Sequence, residues 1–80
     1  MSKINCLAEV FKQKGVRNND IVKLLRVRKE TVSRWVHNKQ QPDLHKLNLI
    51  AEYLRVDIKD LLYSSDWSGS KVAAFKPKRD

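Results

Sequence analysis

Five side chains between residues 29 and 37 are spaced to act together. Lys29, Glu30, Ser33, Arg34 and His37 fall on one side of a helix with 3.6 residues per turn. Lys29 and Arg34 offer cationic donors, Glu30 a carboxylate acceptor, and Ser33 a hydroxyl that does both. A helix with basic and polar groups crowded on one face is suited to a nucleic-acid groove, where base edges present acceptors and donors. Catalysis is a poorer match. Ser33 has no activating histidine at a recognisable spacing. Cys6, His37 and His45 lack the spacing of metal ligands. Asp57 and Asp60 resemble paired carboxylates, yet helix capping accounts for both. No catalytic cluster, metal site or cofactor is expected.

These side chains need helices to hold them. No stretch alternates apolar and polar residues for long, so a sheet is not expected; apolar residues recur at helical spacing instead. Ile4, Leu7, Ala8 and Phe11 define a first helix, ended by Gly15 in a left-handed cap. Ile21, Leu24 and Leu25 mark a second, capped by Asn18 or Asn19, with Asp20 near its positive end. Val32 and Trp35 mark a third over residues 29–37, and their spacing places Trp35 in the core rather than against a base. Asn38 suits the left-handed exit. After a loop at 39–42, Asp43 caps a fourth helix with Leu44, Leu47, Ile50, Ala51 and Leu54 inward. Asp57 caps a last short helix, stapled by Val56 and Leu61. The expectation is an all-α domain of five short helices over residues 1–63. The second and third form a helix-turn-helix, joined over Ile21, Leu25, Val27, Val32 and Trp35.

Bulk properties agree. Eighty residues with 41% hydrophobic content make one domain with one small core. The net charge of +8 is concentrated: residues 12–39 hold nine Lys/Arg against two Asp/Glu, a surplus of seven. Localised basic charge favours polyanions, nucleic acid before acidic membrane. The single cysteine excludes an internal disulfide and fits a reducing compartment. No run approaches membrane-spanning length, and residues 1–10 lack the apolar stretch of a secretory leader. A cytoplasmic protein is expected. Eighty residues leave no room for a separate sensor domain, so ligand control is not expected.

The residues carry a resemblance. Asn18 opens the second helix, and Thr31-Val32-Ser33-Arg34 forms a T-[VI]-S-R run. Asn38-Lys39-Gln40-Gln41-Pro42 makes a basic loop ending in proline. Leu44, Leu47, Ile50-Ala51, Leu54, Val56 and Asp60-Leu61-Leu62 follow at fixed spacing. Over residues 4–62 the chain resembles the phage repressor and Cro-like, or Xre-like, helix-turn-helix family. The resemblance implies a lambda-repressor-like fold and sequence-specific binding of double-stranded DNA by a small transcriptional regulator. The recognition helix at 29–37 would sit in the major groove. By resemblance Lys29, Glu30 and Arg34 read bases, with Ser33 beside them, and Asn18, Arg28, Thr31, Lys39, Gln40 and Gln41 hold phosphates. Donation from Lys or Arg to guanine and acceptance by Glu from cytosine fit those roles. Two copies on a palindromic site are the family expectation.

Some positions depart from the family pattern. Val22 replaces a small residue, usually Ala, and its bulk favours a wider angle between helices two and three. Arg17 and Arg28 replace Ser/Thr caps, at a cost of about 1 kcal/mol each. Arg26 stands where Gly is common. A left-handed backbone there costs a non-glycine residue about 1 kcal/mol, an incentive for a different turn. Val36 replaces the usual Glu. Glu30 has two readings: it accepts from cytosine, or it pairs with Arg34 one turn on. The tail at 64–80 is polar and basic and is expected to be partly disordered, although Trp67, Val72 and Phe75 would suit packing or a partner. Those residues carry the rival reading, an antitoxin-like or other protein-interaction module. An enzyme is the weakest alternative.

Overall fold

Gly15, Asp43 and Asp57 mark helix ends that the sequence makes plain. In the computed structural model, which describes residues 3–65 and Gly69, four α-helices occur: α1 (Leu7–Lys14), α2 (Asn18–Leu25), α3 (Lys29–Val36) and α4 (Leu44–Leu54). A single 3-10 turn, Ile58–Leu61, closes the domain. The fifth element is therefore not an α-helix. Its bonds run three residues back, Asp60 N–H to Asp57 C=O at 2.9 Å and Leu62 N–H to Lys59 C=O at 3.2 Å. The four residues between the Asp57 cap and extended Leu62 hold only one tight turn.

Helix α1 starts later than the apolar stripe suggests. Ile4 is 53% exposed and lies in an extended segment, and Ala8 is exposed as well. Leu7, Val10 and Phe11 form the buried face instead. The extended segment is tied down by an antiparallel bridge between Asn5 and Leu62. Cys6 N–H donates to Leu61 C=O and Tyr63 N–H to Ile4 C=O, both at 2.9 Å. Tyr63 Oη donates to Glu9 Oε1 at 2.7 Å, and that bond to a carboxylate pushes the phenol above its ordinary range.

Gly15 ends α1 in the left-handed region (φ 68°), as read from the sequence. Arg26, Asn38 and Arg55 adopt the same conformation without being glycine, at φ 55°, 57° and 58°. Arg26 thus keeps the family's turn and bears its strain. Asn18 and Asn19 are not the caps of α2. Arg17 occupies the cap position, and the Asp20 carboxylate reaches back to its N–H at 2.9 Å. An arginine side chain cannot accept a bond, so this is half of a capping box. At α4 the Asp43 carboxylate accepts from Lys46 N–H at 2.8 Å.

The core joins Leu7, Val10, Phe11, Ile21, Val32, Trp35, Leu47, Ile50, Ala51, Leu54 and Leu61. Trp35 is buried, which settles it as a packing residue. Leu44, expected inward, is 73% exposed. Helix α3 packs against both α2 and α1, and the closing turn packs against α4. Val22, Leu25, Val27 and Val36 are half-buried against this core. The result is a rigid seat for α3, with its polar face left outward.

Candidate nucleic-acid interface

The start of α2 and the polar face of α3 meet along an open cleft of about 570 Å³, lined by Asn18, Asn19, Lys29, Glu30, Ser33 and Arg34. All four residues expected to read bases therefore share one surface with Asn18. Burial of Val32 and Trp35 on the opposite side of α3 forces that orientation. Asn19 was read from the sequence only as a cap, yet it lines the cleft. The signal that could have found it is its position at the start of α2, facing the next helix.

Both helices open toward solvent without a side-chain cap. Arg17 and Arg28 hold extended backbone at the cap positions, and neither side chain closes its helix end. Arg28 is exposed immediately ahead of Lys29, and Thr31 is half-buried. At the far end of α3, Lys39 and Gln40 are exposed. Their N–H groups both donate to Arg34 C=O, at 2.9 and 3.3 Å. The loop is thus stitched back onto α3.

Gln41 has a different setting. Its Oε1 accepts from Asn5 Nδ2 at 2.7 Å, and its Nε2 donates to Asn38 Oδ1 at 3.2 Å. Asn5 and Asn38 are themselves buried, at 1% and 9% exposure. Nothing local in the sequence points to this cluster, because Asn5 lies thirty or more residues from Trp35 and Asn38.

Among the described residues an ion pair joins Lys46 to Asp43 at 2.9 Å, and none joins Glu30 to Arg34. Both side chains are left open toward solvent. Ser33 does have a histidine near it: His37 Nδ1 is 3.5 Å from its Oγ. The same nitrogen lies 2.8 Å from Ser33 C=O, which can only accept, so Nδ1 carries the proton there. A protonated Nδ1 cannot act as a base toward Ser33. Cys6 is no better a nucleophile. Burial, and then the Glu9 carboxylate, push its thiol above the ordinary range. Among the described residues no group of three His, Cys, Asp or Glu could hold a metal ion, and no helix is long and apolar enough to cross a membrane.

Comparison with known proteins agrees with this geometry. A candidate DNA-binding protein from Bacteroides fragilis superposes with a TM-score of 0.73 at 33% identity, covering 75% of this chain and 97% of the other. A transcriptional regulator from Listeria innocua superposes with a TM-score of 0.68 at 26% identity, covering 86% of this chain and 68% of the other. No curated protein matches the chain. The Cro/C1-type HTH DNA-binding domain matches residues 6–66, three-quarters of the length, and the chain belongs to that family.

Proposed function

We propose that this protein is a small transcriptional regulator that places α3 in the major groove of double-stranded DNA. Lys29, Glu30, Ser33 and Arg34 meet base edges there. Asn18, Arg28, Thr31, Lys39 and Gln40 serve the flanking phosphates, Gln41, bonded to Asn5 and Asn38, holds the loop that carries two of them, and Asn19 joins Asn18 at the head of α2. The observation that carries this reading is the cleft in which α2 opens beside the polar face of α3. A row of donors and acceptors, seated on a packed helix, can match a row of base edges. With no ion pair to Arg34, the Glu30 carboxylate is open to accept from cytosine N4. Two copies bind a palindromic site, in the reducing compartment that suits a lone thiol.

Selection from random duplex DNA tests this function. Enrichment of one short sequence supports specific reading, and enrichment of that sequence as an inverted repeat supports two copies. A pool with no enrichment rejects the reading and favours a protein partner.

A further inference from the structure

We propose that Asn5 and Asn38 are positioning residues for DNA binding, acting through the end of α3 and the loop behind it. This inference rests on the DNA-binding reading above. Neither residue belongs to the exposed polar face. Asn5 lies in the extended segment before α1, and Asn38 follows the last turn of α3.

Their amide groups are used almost to capacity. Asn5 Nδ2 donates to Trp35 C=O at 2.8 Å and to Gln41 Oε1 at 2.7 Å, while its Oδ1 accepts from Leu7 N–H at 3.1 Å. Asn38 Oδ1 accepts from the N–H groups of Ile4 and Asn5, both at 2.9 Å, and Asn38 Nδ2 donates to Asn5 C=O at 3.0 Å. Among the described residues no buried side-chain nitrogen or oxygen lacks a partner. Hydrogen bonds fix direction, which apolar packing does not, so a fully satisfied buried network holds its members in one arrangement.

What the network holds is the exit of the recognition helix. Trp35 C=O is among the last carbonyls of α3, which have no partner inside the helix. It receives Asn5 Nδ2 and also Asn38 N–H at 3.0 Å. Arg34, one residue earlier, gives its carbonyl to the two N–H groups of Lys39 and Gln40. One connected set of bonds therefore joins the segment before α1, the last turn of α3 and the loop carrying Lys39, Gln40 and Gln41. Asn at position 38 serves two needs. Glycine meets its left-handed backbone (φ 57°) more easily, but only Asn also supplies the amide.

The test compares Asn5→Ala and Asn38→Gly with the wild-type chain, each at a temperature where circular dichroism shows it folded. Asn38→Gly keeps the backbone conformation, so it remains informative should Asn5→Ala not fold. Amide hydrogen exchange is read without DNA, at Lys39 and Gln40 relative to α4. Affinity is then measured for the selected duplex and for a scrambled one across a salt series. The expected result is faster exchange confined to the loop and the end of α3. Affinity falls roughly tenfold for the selected duplex and by a similar factor for the scrambled one, because a phosphate contact is blind to sequence. The salt slope drops by about 0.9, the loss of one phosphate contact. Unchanged exchange overturns the network's hold on the loop. Faster exchange with intact affinity and slope overturns the positioning role and leaves a purely structural one. Should the wild-type chain prefer no sequence while the exchange result holds, the DNA-binding reading fails, and the role in binding fails with it.

Discussion

Arg34 is the residue on which specificity can be tested most directly. It lines the cleft and has no acid partner among the described residues. Arg34→Ala is expected to cost about 1–3 kcal/mol of binding to the selected duplex, and less on a scrambled one, measured by titration of both. Equal losses would move Arg34 to a phosphate role. Arg26 tests the backbone instead. Its φ of 55° suits glycine, so Arg26→Gly is expected to raise stability by about 0.5–1 kcal/mol, seen as a higher Tm. An unchanged or lower Tm would mean that the arginine side chain repays the strain. The face of Lys29, Glu30, Ser33 and Arg34 was legible in the sequence because one helical period places all four together. Asn5 was not legible. A buried asparagine near residue 1 resembles any exposed one until the chain brings Trp35, Asn38 and Gln41 to it.

At the scale of elements, legibility followed the strength of local signals. Gly15, Asp43 and Asp57 marked their helix ends correctly because capping is decided within a few residues. Ile4 and Leu44 misled because the apolar stripe reaches back to them, although Ile4 precedes α1 and Leu44 only opens α4. Asn5 Oδ1 takes the Leu7 N–H and sets the start of α1. Leu44 is the first residue of α4 and overhangs the core. The cap of α4 makes a pH-dependent contribution whose sign can be worked out. The Lys46 backbone N–H, and then its side chain, hold the Asp43 carboxyl below the ordinary range. On acidification the unfolded chain takes up this proton first. The contribution is therefore present above the ordinary carboxylate pKa and fades as pH falls through the folded value. Thermal unfolding between pH 7 and 3 is expected to show a loss beginning below about pH 4. Asp43→Asn keeps a capping oxygen but removes the proton, so its acid loss should be smaller. Identical profiles would show that other carboxylates account for the whole loss.

For the whole molecule, charge sets how binding responds to salt. With a formal charge of +8 and a surplus of seven within residues 12–39, phosphate neutralisation should dominate non-specific affinity. The logarithm of affinity is expected to fall by about 0.9 per unit of log salt for each phosphate engaged, and a flat profile would contradict the mode of binding. Of the tail at 64–80, residues 66–80 fall outside the described residues except for Gly69, so its expected disorder stands only as a sequence reading. The bridge between Asn5 and Leu62, with Tyr63 bonded to Ile4, has a different consequence. The domain is a nearly closed ring of chain, entered and left at a single point. A few added residues would splice residue 63 to residue 4, and the ring could then be opened at the exposed turn around Gly15, away from the 39–42 loop. Such a permuted chain should keep its helix packing, because order along the chain would change while neighbours in space would not.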